Sequence, residues 1–253
     1  MIGREIIRLA SVPSTMDLID DYARAGAREG LVLVADHQTA GRGRSGRTWI
    51  SAPGDGLLCS VLLRPSVAPD RLGPLPLLLG TAVAETVETF VSELCQVKWP
   101  NDALIGGRKV AGILVQSRVG PEGIDFVNVG IGINIRNVPE TMENSATSIA
   151  AEGGMREDRD AVLRALLINL DLPYRTWIES GGTSSLNPWR QRAAMLGEHV
   201  TVRQNGDSIC GRFHDVDDDG RLLLELDSGE RIALASGDLD RGPRASTLRT
   251  RAP

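Results

Sequence analysis

The sequence predicts an α/β (α+β) protein in two parts. Strands and helices intermix over residues 1–196, and a small β-barrel or sandwich follows over residues 197–253. Three observations carry this. Short apolar runs at residues 31–35 and 57–63 have the length and flanks of buried strands. A longer stretch repeats apolar residues at helical spacing: Val162, Leu163, Leu166, Leu167 and Leu170. Beyond Gly197, four short strand patterns alternate with turn signals.

In chain order, residues 6–9 read as a short strand. Ser14 is a helix N-cap candidate before a helical pattern over residues 16–27, because its hydroxyl can accept from an unpaired amide of the first turn. Residues 31–35 and 57–63 are strands, and the polar stretch 37–53 between them is a loop without a single acidic residue. Residues 74–94 form a long apolar helix. Strands follow at 96–99, 103–105, 109–117 and 125–135, with Gly106-Gly107 as a hairpin turn. Residues 136–144 are loop-like. Residues 160–179 and 187–196 are helices on either side of a Gly/Ser break at 180–185. The last part has strands at 199–203, 208–214, 221–226 and 231–234. Its turn signals are Asn205-Gly206, Asp218-Asp219-Gly220 and Ser228-Gly229. Residues 244–253 are expected to fray.

Composition narrows the function classes. The 253 residues are 42% hydrophobic and 24% charged, as expected of a folded globular chain and not of a disordered one. A net charge of −5 argues against a globally basic nucleic-acid binder. Cys59, Cys95 and Cys210 are odd in number and far apart, which fits a reducing compartment and neither a disulfide framework nor a zinc site. The N-terminus Met1-Ile2-Gly3-Arg4-Glu5 lacks an apolar signal segment. The most apolar stretch, 72–84, contains Pro74 and Pro76 and falls short of the roughly 20 residues that span a bilayer. The expectation is a soluble cytoplasmic protein without membrane association. Only two lysines occur, Lys98 and Lys109, and they lie close together.

Gly41-Arg42-Gly43-Arg44-Ser45-Gly46 formally matches the dinucleotide fingerprint GxGxxG. That motif needs a strand directly before it, a helix directly after and an acidic residue about 20 positions on. None of the three is present, and the phosphate-loop pattern GxxxxGK[ST] is absent too. What remains is a glycine-rich loop with Arg42, Arg44, Arg47 and Trp49. Arginine forks bind phosphate oxygens, glycines let backbone approach an anion, and an indole can cover a flat or apolar ligand. For an isolated Arg-Gly stretch, a solvated surface loop explains as much. Two further segments shift the balance: Lys98-Trp99-Pro100-Asn101-Asp102 at a strand end, and Arg108-Lys109-Val110-Ala111-Gly112 at the start of an apolar strand. If these strands are neighbours, Lys109, Asp102 and the arginine loop converge, although a lysine beside a carboxylate is also a common structural ion pair.

These segments together resemble the prokaryotic biotin–protein ligases. The resemblance rests on His37-Gln38-Thr39-Ala40-Gly41-Arg42-Gly43-Arg44-Ser45-Gly46-Arg47-Thr48-Trp49, Lys98-Trp99-Pro100-Asn101-Asp102, Lys109-Val110-Ala111-Gly112-Ile113-Leu114 and Asn128-Val129-Gly130-Ile131-Gly132-Ile133-Asn134, in that order. It covers about residues 6–241, and Gly237-Asp238-Leu239 resembles the family's C-terminal domain. The resemblance implies a mixed β-sheet backed by helices, with an SH3-like barrel after it. Because the pattern begins by Ile6, it also implies the monofunctional type, without a DNA-binding domain and without specific DNA as a partner.

The activity implied is two-step. Biotin's carboxylate attacks the α-phosphorus of ATP, giving biotinyl-5′-AMP and pyrophosphate. A lysine of a biotin carboxyl carrier domain, from an acyl-CoA or pyruvate carboxylase, then takes the biotin and releases AMP. By resemblance, Lys109 bridges the biotin carboxylate and the α-phosphate. Arg42, Arg44 and Arg47 hold phosphates and close over the adenylate, and Trp49 shields the adenine. Asn101 and Asn134 contact adenine or phosphate, and Asp102 orients the incoming lysine or helps hold Mg²⁺. Ser14, Thr15 and Gln38 match ureido-contact positions, with backbone near Gly41 and Gly112 lining the biotin slot. Ser14 and Thr15 are equally explained as helix caps, and Gly130 and Gly132 as sheet packing. Departures from the family's usual pattern are Met16, Ser45 and Ala103. The nearest rival is a lipoate–protein ligase of the same fold. A non-enzymatic nucleic-acid module is disfavoured by the acidic C-terminal part, with eleven Asp and Glu against eight Arg from Leu196 onward.

Overall fold

The computed structural model describes residues 1–154, 158–204 and 206–242. The tail expected to fray and Asn205 of the expected turn lie outside the described residues. The first part is a seven-stranded mixed sheet. Its strands are β1 (Glu5–Val12), β2 (Leu31–Gln38), β3 (Gly56–Leu63), β4 (Gln96–Lys98), β5 (Asp102–Ile105), β6 (Arg108–Gly120) and β7 (Gly123–Asn134), in the order β1-β2-β3-β7-β6-β5-β4. Only β1 and β2 run parallel, with α1 (Thr15–Arg24) as their crossover; the other pairs are antiparallel.

The sheet has two unequal faces, and residue alternation decides which is which. On β7, Val127, Val129, Ile131 and Ile133 enter the large core. It also contains Leu57, Cys59, Val61 and Leu63 of β3 and Ala111 and Ile113 of β6. Helices α2 (Leu75–Glu88) and α3 (Arg159–Glu179) cover that face with Leu79, Val83, Val87, Val162, Leu166 and Leu170. The opposite face carries Leu62, Phe126, Ile19, Ala23, Leu31 and Leu33 as a smaller core under α1. Beyond α1 this face holds the alternate residues Gly112, Gly130, Gly132 and Asn134. Without side chains on the three glycines the sheet surface is recessed there, and this recess is the floor of the site.

Where α1 sits determines how the site is furnished. Ser14 Oγ accepts from the Met16 amide at 3.2 Å, so the expected cap is formed. At the other end, Arg64, just after β3, donates to the carbonyls of Ala23 at 2.8 Å and Ala27 at 3.1 Å, which pins the turn after α1 to the end of that strand.

Three helices stop short of the sequence expectation, each for a visible reason. The pattern over 16–27 ends as helix at Arg24, where Gly26 takes φ +87° and the Ala27 amide turns back to the Tyr22 carbonyl at 3.0 Å. The pattern over 74–94 ends as helix at Glu88, because the Glu88 carboxylate accepts the Cys95 amide at 3.0 Å and turns the chain back toward β4. The pattern over 187–196 gives only α4 (Asn187–Arg192), because the Ala194 amide leaves the helix to bond the Val97 carbonyl at 2.8 Å.

The C-terminal part is a five-stranded antiparallel sheet. It comprises β8 (His199–Gln204), β9 (Asp207–Val216), β10 (Leu222–Glu225), β11 (Arg231–Leu234) and β12 (Asp238–Arg241), in the order β11-β10-β9-β8-β12. β12 lies beyond the last strand expected from the sequence, at 231–234. Trp99 ties this sheet to the first: its ring is 1% exposed and its Nε1 donates to the Gly220 carbonyl at 3.0 Å. Among the described residues, no helix is long and apolar enough to cross a membrane.

Candidate functional site

A cavity of about 620 Å³ opens above the glycine recess. Eleven of the thirteen expected residues line it: Ser14, Gln38, Arg42, Arg44, Arg47, Trp49, Asn101, Asp102, Lys109, Gly112 and Asn134. The two that do not are Thr15 and Gly41. Thr15 is buried one layer behind, where its amide and hydroxyl both donate to Gln38 Oε1 (2.7 and 2.9 Å) and its oxygen accepts from Ser60 at 2.8 Å. It fixes the Gln38 amide instead of reaching the cavity. Gly41 lines a second hollow behind the loop, and a Cβ there would lie 2.5 Å from the Trp49 carbonyl oxygen.

Lys109 sits at the beginning of β6 with its backbone bonded on both sides: its amide to the Ser145 carbonyl and its carbonyl to the Thr147 amide, each at 2.9 Å. Its Nζ lies 2.7 Å from Asp102 Oδ1 and 5.4 Å from the Trp49 ring centroid. Asp102 Oδ1 is buried, with no hydrogen-bond partner beyond that ionic contact. The pair is therefore a cation and an anion held at the cavity wall, with Lys109 one-third exposed.

Trp49 lies flat in the recess. A Cβ on Gly132 would come within 2.5 Å of its ring, and one on Gly112 within 3.0 Å of both the ring and Lys109 Nζ. Gly112 and Gly132 face one another across β6 and β7. Their glycine identity is thus a requirement of seating the indole, and sheet packing on the core side does not account for it. A Cβ at Gly130 would instead meet Met16 at 2.8 Å. Trp49 Nε1 is buried without a partner, so a donor is available inside the cavity.

The arginine loop is better tied than its own composition suggests. Residues 37–53 contain no acid, yet acids arrive from elsewhere in the fold. Arg42 pairs with Asp17 of α1 at 2.5 Å, and Arg47 pairs with Asp238 of β12 at 2.6 Å. Arg44 donates to Asn101 Oδ1 at 3.0 Å and to the Gly237 carbonyl at 3.4 Å. Burial pushes its guanidinium below the ordinary arginine value, while Asp238 and then Asp102 oppose the shift and Arg47 adds to it. Neither Asp17 nor Asp238 was legible as a site residue, since each lies far from the loop in sequence.

Both asparagines are committed within the protein. Asn101 accepts from Arg44 and donates to the Ile113 carbonyl at 2.7 Å. Asn134 donates to the Thr147 carbonyl at 3.0 Å, fixing the 145–147 segment beside Lys109. The segment after β7 also reaches the cavity through Pro139, Met142, Asn144, Ser145 and Ala146.

Comparison with known proteins gives a consistent answer. Residues 9–134 match the model of the biotin/lipoate A/B protein ligase family, and residues 195–242 match that of the biotin protein ligase C-terminal domain. The chain is 33% identical to the biotin–[acetyl-CoA-carboxylase] ligase of Mycobacterium tuberculosis over 242 residues, covering 93% of this chain and 88% of that one. It is 32% identical over 246 residues to the bifunctional ligase/repressor BirA of Bacillus spizizenii, covering 96% of this chain and 75% of that one. The Aquifex aeolicus biotin protein ligase, solved in complex with biotin and ATP, superposes with a TM-score of 0.80 at 30% identity, covering 94% of this chain and all of that one. The matches extend over both sheets, and the chain belongs to the biotin protein ligase family.

Proposed function

We propose that this cavity joins biotin to ATP and then passes biotin to a lysine of a biotin carboxyl carrier domain. The observation that carries the reading is Lys109. It is an ion-paired cation, two-thirds buried, at the wall of a recess that also holds an indole and three arginines. Two anions, a carboxylate and an α-phosphate, must approach within bonding distance in the first step. A fixed cation between them and guanidinium groups around them lower that repulsion. On this reading the apolar bay by Met16 and Leu114 takes biotin, with Gln38 and Ser14 at its ureido end. The bay on the other side of Trp49, by Asn101, Asn134 and the 139–146 segment, takes the nucleotide.

Bond formation between the biotin carboxylate oxygen and the α-phosphorus expels pyrophosphate. In the second step the carrier's neutral amine attacks the acyl carbon, and AMP leaves with the anhydride oxygen. Asp102, at the cavity wall, is placed to orient that amine. Mg²⁺ would enter with the ATP phosphates: no cluster of three or more His, Cys, Asp or Glu side chains suited to a metal occurs among the described residues, and Asp102 alone supplies a carboxylate beside Lys109. A metal held chiefly by phosphate oxygens and one carboxylate is ordinary Mg²⁺ chemistry.

Pyrophosphate exchange into ATP separates biotin from its rival. Exchange is expected with biotin and not with lipoate; the reverse pattern would assign the chain to lipoate.

A second consequence concerns self-modification. Free adenylate acylates amines, and this chain has few. Lys109 faces Asp102, and Lys98 is 3.7 Å from Asp240 and three-quarters buried. Arginine stays protonated and is no nucleophile. The Met1 amine is likewise 3.8 Å from Asp171, so all three amines face a carboxylate and self-biotinylation is expected to be poor. Long incubation with biotin and MgATP but no carrier, followed by peptide mass spectrometry, should show little biotin on Met1, Lys98 or Lys109. Abundant biotin on Lys109 would show that it is free while adenylate is present.

A further inference from the structure

We infer that Asp238, together with the carbonyl of Gly237, positions the arginine loop so that biotinyl-adenylate is retained between the two steps. The inference rests on the biotin-ligase reading of the cavity. It begins with two loop arginines that converge on one corner of the C-terminal sheet: Arg47 on the Asp238 carboxylate at 2.6 Å and Arg44 on the Gly237 carbonyl at 3.4 Å.

That corner is a rigid support. Gly237 has φ +148°, and a Cβ there would lie 2.6 Å from Val202 and 3.7 Å from the Trp99 ring. Trp99 is itself fixed to Gly220 and sits two residues before Asn101, which takes Arg44 from the other side. Asp238 pairs in register with Arg203 of β8 at the start of β12. The carboxylate is therefore presented at a set place relative to the cavity.

Its importance changes along the reaction. ATP brings several negative charges to the loop, so the phosphates themselves can hold the arginines. Once pyrophosphate has left, the adenylate keeps a single charge on its one phosphate. Arg44, partly stripped of water, and Arg47 beside it then need another anion to stay together. Asp238 is the fixed carboxylate that faces both. Its removal should act on retention of the intermediate more than on its formation.

Hydroxylamine reads this directly. Its nitrogen attacks the acyl carbon of the mixed anhydride, biotin hydroxamate forms, AMP leaves with the anhydride oxygen, and the nitrogen's proton goes to buffer. The purified full chain, with biotin and MgATP but no carrier, is compared as wild type, Asp238→Asn and Asp238→Glu. Hydroxamate production is expected to rise by about threefold in Asp238→Asn, the scale of a partly exposed ion pair, and to stay near wild type in Asp238→Glu. Added salt should raise the wild-type rate toward that of Asp238→Asn while moving the variant less.

Equal hydroxamate rates in wild type and Asp238→Asn would overturn the inference. So would equal increases in the Asn and Glu variants that track a fall in unfolding temperature. If wild type itself makes no biotin hydroxamate, it is the biotin-ligase reading that fails.

Discussion

Lys109→Ala is expected to lower the initial rate of biotinyl-adenylate formation by about 10²–10³-fold, the usual scale for losing one fixed group that stabilises charge in a transition state. The expectation follows from where the side chain is held. Backbone bonds on both sides of Lys109 fix the strand, Asp102 fixes the ammonium, and the indole of Trp49 closes one side. No other lysine can substitute, since Lys98 is committed toward Asp240. Removing Lys109 also leaves Asp102 Oδ1 without a counter-charge, which on its own costs about 1–3 kcal/mol of stability. The double variant Lys109→Ala/Asp102→Asn removes both charges and separates chemistry from folding. Exchange of pyrophosphate is expected to be lost in both variants, with the unfolding temperature recovered in the double one. Wild-type exchange in a folded Lys109→Ala protein would remove Lys109 from the mechanism.

Gly132→Val should be nearly as damaging, although it introduces no charge and touches no proposed reacting group. Already a Cβ at this position would stand 2.5 Å from the Trp49 ring, and the two further methyl groups fill the recess. The indole must lift, and the loop that carries Arg44 and Arg47 lifts with it. Misplacement of positioning groups by about 1 Å can cost 10²-fold, so a fall of ten- to hundredfold in kcat/KM for ATP is expected. Fluorescence offers an independent check. Of the four tryptophans, Trp99, Trp177 and Trp189 are fully buried away from the cavity, so Trp49 alone should report ligand. Biotin with MgATP should change the emission of wild type and not that of Gly132→Val or Trp49→Phe. An unaltered KM together with an unaltered emission change in Gly132→Val would mean that the indole does not need its seat.

The parts of the site that were legible in sequence are those whose chemistry is local. Three arginines between glycines, a lysine at a strand start and glycines at alternate positions of a strand each say something about the place they occupy. The strands were also legible, because burial on one or both faces writes itself into short apolar runs. Asp102 as the partner of Lys109 was legible too, but the partners of the arginines were not. Asp17 lies on a helix 25 residues before Arg42, and Asp238 is 191 residues after Arg47. The loop therefore reads as unpaired until the chain is folded. Element ends were misjudged where a tertiary contact outbids helical spacing, as with Glu88 and Cys95 or Ala194 and Val97. Thr15 matched a ligand-contact position by resemblance, but folding places it behind Gln38. The asparagines line the cavity as expected and carry a second role that residue type does not show, their amides holding Arg44 and the 145–147 segment.

Crystals soaked with biotin and ATP would test the central claim most directly, since they show ligand and site together. Density for biotinyl-5′-AMP is expected in the recess, bent around Trp49 over Gly112 and Gly132. Its acyl-phosphate should lie within hydrogen-bond distance of Lys109 Nζ, and its ureido ring should face Gln38. Adenylate bound elsewhere on the chain, or bound in the recess with Lys109 still turned to Asp102 and away from the phosphate, would contradict the account.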